Sequence, residues 1–149
     1  MRKKGFTLVE IMIVVAIIAL LAAISIPNIL RQRLNANETA AQSTLGTISA
    51  TEQSFRSVNA LYATLANLTD AVPPYIDLTV RAAGGKQGYV FTDGEAPTAN
   101  TFSVNAVPVT ANQTGTRSFC VADDGVIRVQ ANGGAIGNRA ACIVLPPTN

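Results

Sequence analysis

Histidine and tryptophan are both absent from this sequence of 149 residues, and only 13% of its residues are charged. Without histidine the chain cannot build a Ser–His–Asp or Cys–His catalytic arrangement, and it lacks the side chain that most often binds metal ions. The acidic and basic residues form no clustered acid–base pair along the sequence. The composition argues against an enzyme, and we predict no catalytic residue, no cofactor and no metal site.

Polar residues are also scarce near the N-terminus, where only Thr7, Glu10 and Ser25 interrupt the apolar run of residues 6–26. As an α-helix this run rises roughly 31 Å, about the thickness of the hydrocarbon core of a bilayer. Residues 2–4 are all basic, and by the positive-inside rule they hold the N-terminus in the cytoplasm. The sequence predicts a helix that spans a membrane.

Glu10 does not fit an ordinary membrane anchor. A charged residue deep in a spanning helix costs roughly 2.5–3.5 kcal/mol on insertion scales, so such residues are usually functional and paired. Nothing else in the apolar segment is expected to pair with Glu10. The pattern indicates a partner from outside the segment.

The junction of the basic and apolar segments reads Lys4-Gly5-Phe6-Thr7-Leu8-Val9-Glu10. This junction, followed by an apolar helix, resembles the N-terminal signature of type IV pilins and type II secretion pseudopilins. The resemblance implies that a dedicated peptidase cuts after Gly5 on the cytoplasmic side, that the new amino group of Phe6 is N-methylated, and that the helix is retained. It also implies that Glu10 pairs with the N-terminal amine of a neighbouring subunit during filament assembly.

The N-terminus also has two simpler interpretations, a secretory signal peptide and a plain single-span anchor. A secretory signal peptide also has a basic start and an apolar core, and Ala23-Ile24-Ser25 is a passable cleavage site. Its core, however, would exclude Glu10. A plain single-span anchor fits the length but leaves Gly5 and Glu10 unexplained, so the processed-pilin interpretation is favoured.

Removal of a leader of residues 1–5 changes the charge of the chain. Taking its three basic residues from the eleven Lys and Arg leaves eight, against nine Asp and Glu. The mature chain keeps no basic patch of the kind that binds nucleic acid.

Pro27 follows the apolar run and lacks the amide hydrogen that the carbonyl of Ala23 would need in a regular helix. It either marks the exit from the membrane or introduces a kink. In pilins the matching proline lies where the helix can bend or locally melt, which suits a stretchable filament.

Beyond Pro27 a helical stripe continues. Apolar residues recur at intervals of seven, at Leu34, Ala41, Ile48, Phe55 and Tyr62. This spacing predicts an amphipathic helix, with polar residues placed mostly around the stripe. Those residues include Glu38 and Glu52. We expect one helix from about Phe6 to about Leu65.

After a connector at residues 67–88, the hydrophobic period becomes two. Four strands are predicted. The first carries Tyr89 and Phe91, and the second runs from Phe102 to Ala106 and is closed by Pro108. The third carries Phe119 and Val121, and the fourth carries Ile127 and Val129. Asp124-Gly125 is a strong hairpin signal between the last two. The fold class is α+β, with the second half of the long N-terminal helix packed on a four-stranded antiparallel sheet.

The only cysteines are Cys120 and Cys142. An even count in an exported domain predicts one disulfide. Cys120 falls on the face of its strand opposite Phe119 and Val121, so the bond would draw the tail across the outer side or edge of the sheet. This arrangement resembles the C-terminal disulfide loop of type IVa pilins.

The sequence as a whole predicts a filament subunit with five parts. They are a leader at 1–5, an assembly helix at 6–27, an amphipathic helix at 28–66, the connector at 67–88 and a sheet with a disulfide loop at 89–149. The expected partners are identical subunits in a helical filament, the prepilin peptidase and methyltransferase, and inner-membrane assembly machinery. The precursor would lie in the inner membrane and the filament on the cell surface. The alternatives are a type II secretion pseudopilin and a membrane-tethered minor pilin or adhesin.

Overall fold

The structure is a computed structural model that describes residues 5–148. The helices are α1 (Leu8–Asn59), α2 (Leu65–Asp70) and α3 (Arg139–Ile143), with a 3₁₀ helix at Leu78–Arg81; the strands are β1 (Tyr89–Asp93), β2 (Ser103–Pro108), β3 (Ser118–Ala122) and β4 (Ile127–Gln130). The chain divides into two compact units, a first unit that ends at Arg33 and a second unit that starts at Leu34. The predicted α+β class is confirmed.

The first unit consists of the start of α1 and the residues before it. Its 18-residue apolar window has no buried residue, and α1 is long and apolar enough to cross a membrane. The helix continues through Pro27 without a break in its assignment. The first unit therefore forms its helix without covering the apolar side chains.

In the second unit α1 ends at Asn59, earlier than the predicted end near Leu65. Ala60 donates its amide to the carbonyl of Arg56 at 2.8 Å and then adopts a positive φ of 59°, which ends the helix in a left-handed residue. Tyr62 is consequently buried from a non-helical segment, although its spacing of seven from Phe55 suggested one more helical turn.

The sheet is an antiparallel meander in the order β1-β2-β3-β4, as predicted. The register pairs Phe91 with Ala106 and Val104 with Val121. The inward side chains of these strands form one core cluster with Leu45 and other residues of α1. The amphipathic half of the helix thus covers one face of the sheet.

The other face of the sheet is covered by the C-terminal tail. Cys120 and Cys142 form a disulfide with a Cα–Cα distance of 6.0 Å, and both are fully buried in a second cluster with Ile136. Beyond it the tail runs along β4: the amide of Val129 donates to the carbonyl of Pro146 at 3.0 Å. The tail therefore covers both the outer face and the β4 edge, and β3 is buried over its whole length.

Glu38 and Glu52 correct the predicted helical faces. Both were placed among the polar residues around the stripe, and both are buried in the second unit. Each lies seven residues from Leu45, the side chain at the centre of the buried face, so both share that face. Their burial demands partners that only the folded chain supplies.

Glu38 finds its partners in the segment that leads into β3. One carboxylate oxygen accepts hydrogen bonds from the amide of Thr116 at 2.9 Å and its hydroxyl at 2.7 Å. The other pairs with the guanidinium of Arg117 at 2.6 Å. Burial alone would raise the pKa of Glu38, but the hydrogen bonds from Thr116 and Arg117 outweigh it and the pKa is lowered. Glu38 is thus held as a carboxylate and ties α1 to β3.

Candidate assembly site at the N-terminus

The predicted processing and assembly residues lie at the start of α1. The helix begins at Leu8, which leaves Gly5, Phe6 and Thr7 before its first turn. Phe6 is 82% exposed. Among the described residues, a Cβ atom built on Gly5 would meet no atom within 4 Å. The peptide bond between Gly5 and Phe6 is therefore sterically accessible. The basic residues at positions 2–4 lie outside the described residues.

Thr7 and Glu10 cap the helix reciprocally. The hydroxyl of Thr7 accepts a hydrogen bond from the amide of Glu10 at 3.3 Å. The carboxylate of Glu10 accepts from the amide of Thr7 and from its hydroxyl, both at 3.4 Å. A hydroxyl residue at the N-cap with Glu three positions later is a capping box, which satisfies amides that have no partner within the helix.

This cap corrects the expectation that nothing in the segment could pair with Glu10. The signal was present in the sequence as Thr-x-x-Glu directly before an apolar run. The cap also places the carboxylate at the positive end of the helix dipole, where negative charge is favoured. The hydrogen bonds are long, however, and no Lys or Arg between residues 5 and 148 forms an ion pair with Glu10. Within the described part of the chain the acid serves as a cap and has no cationic partner.

An apolar surface surrounds this acid. One groove along the first turns is lined by apolar and small side chains that include Phe6, Leu8, Ile11, Met12, Val15 and Ala19. Burying one side chain of this size is worth about 1.5–3 kcal/mol. A surface of many such side chains, unburied within the first unit, requires lipid or other protein chains to cover it.

Pro27 lies inside α1. Its missing amide leaves the carbonyl of Ala23 without its usual helical donor, so this turn of the first unit has one backbone hydrogen bond fewer than a regular helix. A role for Pro27 in bending the assembled subunit stays a prediction.

The disulfide loop in the second unit is fixed by two ion pairs. Arg139 of α3 pairs with Asp123, and Arg128 of β4 pairs with Asp124 at 2.5 Å. The hydrogen bond from Arg128 holds the pKa of Asp124 below its usual value, although burial opposes the shift. The two aspartates are engaged with arginines, and Asp124 also accepts the amide of Val126 in the turn around Gly125. This arrangement fixes a surface loop rather than building a reaction centre.

Comparison with known proteins bears on the N-terminal part. Residues 1–26 match the family described as the prokaryotic N-terminal methylation motif. The chain is 42% identical over 66 residues to the type IV major pilin protein PilA of Myxococcus xanthus, covering 44% of this chain and 30% of that protein. It is 64% identical over 36 residues to the type IV wide pilus major component PilA4 of Thermus thermophilus, covering 24% of this chain and 28% of that protein.

These matches confirm the resemblance of the N-terminal signature to that of type IV pilins. They span less than a third of either relative's length.

Proposed function

We propose that this chain is a structural subunit of a type IV pilus, and not an enzyme. It would polymerise through the first half of α1 into a surface filament. The observation that carries the proposal is the N-terminal methylation motif joined to an apolar helix whose side chains the chain itself leaves uncovered. Both relatives are named as major pilus components, which supports the same function here.

Assembly follows from the geometry of the start of α1. Cleavage after Gly5 would create an amine on Phe6, and such an α-amine has a pKa of about 7.7–8.0 and is largely cationic at neutral pH. Packing the apolar helices of several subunits together removes their surface from water or lipid. That packing also brings the amine of one subunit within reach of Glu10 of another, which supplies the missing cation.

The pair between the amine and Glu10 would set the axial register of the subunits more than it would strengthen their association. Desolvation offsets much of the attraction between buried charges, so the net gain is small. A uniform apolar surface does not distinguish one axial stagger from another, whereas pairing Phe6 of one subunit with Glu10 of the next selects a single stagger. We also propose that assembly machinery at the inner membrane extracts the subunits and stacks them into the filament.

The decisive experiment is electron microscopy of surface fibres sheared from cells, with identification of their peptides by mass spectrometry. We expect fibres composed mainly of this chain. A chain that stays in the membrane fraction and never dominates sheared fibres would contradict the proposal. Short periplasmic assemblies would instead indicate a pseudopilin, and a trace component of another fibre would indicate a minor pilin.

Processing is tested by the intact mass of the chain recovered from fibres. We expect a mature chain that begins at Phe6 and carries a methyl group on its amine. The variant Gly5→Val should remain uncut, and Gly5→Ala should be cut, because the motif requires a small residue before the bond. A Cβ atom at Gly5 meets no atom of the described residues within 4 Å, so we expect lost cleavage to report recognition rather than a steric clash. Cleavage after Ser25 would indicate a signal peptide instead.

A further inference from the structure

Residues 60–65, which run from the end of α1 to the first residue of α2, are held down by two carboxylates from two different elements. Glu52 of α1 accepts a hydrogen bond from the amide of Ala63 at 2.9 Å. Asp93, the last residue of β1, accepts from the amide of Leu65 at 3.1 and 3.3 Å. We call residues 60–65 the hinge segment. The segment is also held by the amide of Tyr62, which donates to the carbonyl of Thr98 at 3.0 Å, and by the contact of the Tyr62 ring with Phe102.

Glu52 is an unusual group for this task. Its side chain is completely buried, yet only one of its oxygens has a partner. Oε2 receives the amide of Ala63, whereas Oε1 has no hydrogen-bond partner among the described residues. A buried carboxylate with an unpaired oxygen is costly when charged. The unpaired oxygen is the natural position for a proton.

The charges around Glu52 do not compensate its ionisation. On α1 itself, the guanidinium of Arg56 donates to the hydroxyl of Tyr62 at 3.2 Å and to the side-chain oxygen of Asn100 at 3.1 Å. Tyr62 lies on the hinge segment and Asn100 on the loop before β2. From β1, the negative charge of Asp93 acts on Glu52 and raises the pKa of Glu52. In the 3₁₀ helix Arg81 pairs with Asp70 and acts on Asp93 rather than on Glu52.

The protonation equilibrium agrees with this geometry. Burial raises the pKa of Glu52 to about 7, the amide of Ala63 opposes the shift, and the charge of Asp93 adds to it. Burial also raises the pKa of Asp93, although the amide of Leu65 lowers it in part. Both acids that hold the hinge segment therefore favour their neutral forms relative to free side chains.

We propose that Glu52 is a proton-dependent latch on the hinge segment. With its carboxyl protonated the segment stays closed over the core, and with the carboxyl ionised the segment opens. Opening brings water to Oε1 and separates Glu52 from Asp93. It also uncovers Tyr62 and Leu65, which are buried in the closed state. The surface of the globular unit would then depend on pH near neutrality.

The sign of the effect follows from linkage. An acid with a raised folded-state pKa favours the closed state fully below the ordinary value of 4.5, and this contribution is lost as pH rises from 4.5 to about 7. Between pH 5 and 8 the equilibrium constant for opening should increase on the order of 100-fold if Glu52 titrates normally once open.

Hydrogen exchange of the full chain in detergent micelles tests this proposal. After correction for the intrinsic pH dependence of exchange, the amides of Ala63 and Leu65 should lose protection by on the order of 100-fold from pH 5 to pH 8. The amides of α1 around Leu45 serve as the internal reference and should keep their protection. Equal protection of the hinge segment at both pH values would overturn the proposal.

Two variants identify the group. Glu52→Gln keeps the size of the side chain and cannot ionise, so the pH response of the hinge segment should disappear. A response of unchanged size in Glu52→Gln would also overturn the proposal. Asp93→Asn keeps an acceptor for Leu65 and removes the repulsion, so the response should move to lower pH. Should Glu52→Gln not fold, the pH profile of the wild type and the shift of that profile in Asp93→Asn decide the question. A pH response with an unchanged midpoint in Asp93→Asn would count against the latch.

Discussion

The two units of this chain use the same helix in opposite ways. Up to Arg33 the apolar side chains of α1 are uncovered, whereas from Leu34 they pack on the sheet and form a core. The acids differ in parallel. Glu38 in the second unit accepts from Arg117 and two backbone amides, whereas among residues 5–148 the carboxylate of Glu10 accepts only from Thr7.

This difference shows which part of the protein is complete by itself. An acid in apolar surroundings needs charge and hydrogen bonds from somewhere. The second unit supplies both from its own residues, so Glu38 stabilises the fold. Among its described residues the first unit supplies only a cap, so we expect Glu10 and the surface around it to depend on other molecules. Substitutions at the two acids should therefore have opposite consequences.

The largest effect is expected from Glu10→Val. The variant should enter the membrane at least as well as the wild type and be cleaved normally, because it removes a polar group from the apolar run. It should nevertheless form no fibres, since the pair that selects the stagger is lost. Membrane fractionation, intact mass and electron microscopy of sheared material measure the three steps.

The comparison supplies its own control for Glu10→Val. Unfolding of the globular unit should be unchanged in this variant, because Glu10 belongs to the first unit. Normal numbers of fibres made from Glu10→Val subunits alone would show that Glu10 is only a tolerated cap.

The second effect in size concerns the disulfide. Cys120 and Cys142 are 22 residues apart in sequence, and closing such a loop is worth roughly 3 kcal/mol in the chain-entropy model. Cys120→Ser and Cys142→Ser should each lower the free energy of unfolding by about this amount and release the tail from β4. Urea unfolding with and without reductant measures it. Free thiols at both positions in the native, unreduced wild type would refute the bond.

Glu38→Val is the counterpart of Glu10→Val, with a somewhat smaller effect than the disulfide. It leaves the amides of Thr116 and Arg117 without their acceptor; because both contacts are only partly buried, each loss is expected at the low end of the about 1–3 kcal/mol for a buried unsatisfied group. Arg117 is 45% exposed, so water screens the lost ion pair and it adds little. We expect a loss of about 2 kcal/mol in urea unfolding, with cleavage after Gly5 unaffected.

Lowering the pH tests further whether Glu38 stabilises the second unit as a carboxylate. Because the pKa of Glu38 is lowered, its contribution is present above the ordinary value of 4.5 and is lost as pH falls below it. Glu38→Val should therefore resemble the wild type more closely at pH 3 than at pH 6. An equal difference between the two proteins at both pH values would show that Glu38 is not held as a carboxylate.

The sequence predicted the elements better than it predicted their ends and partners. Period-two alternation and Asp124-Gly125 located four strands and a hairpin, since these signals are local. The end of α1 was missed because Ala60 adopts a left-handed conformation that glycine usually signals. The faces of Glu38 and Glu52 were missed although both lie seven residues from Leu45, because a carboxylate is buried only where distant segments provide its donors.

At the N-terminus the situation is reversed. The motif that contains Gly5, Phe6 and Glu10 was read from the sequence by resemblance, and the structure added the hydrogen bonds of Thr7. Nothing within residues 5–148 could have revealed the cationic partner of Glu10, because the proposed partner belongs to another copy of the chain.

The smallest effect tests whether the cap matters in its own right. Thr7→Val keeps the shape of the side chain and removes the hydroxyl, so the amide of Glu10 loses its acceptor and the carboxylate loses one donor. Loss of an N-cap costs typically about 1 kcal/mol, and the Thr7 amide still reaches Glu10. Cleavage after Gly5 leaves that amide in place, so the mature subunit should still present its carboxylate, less firmly held. We expect fewer sheared fibres per subunit in the membrane, with Thr7→Ser, which keeps the hydroxyl, close to wild type.

Complete loss of fibres in Thr7→Val, as in Glu10→Val, would mean that the hydroxyl contacts the neighbouring subunit directly. Fibre yields equal to wild type in both variants would mean that pairing between subunits alone orients Glu10.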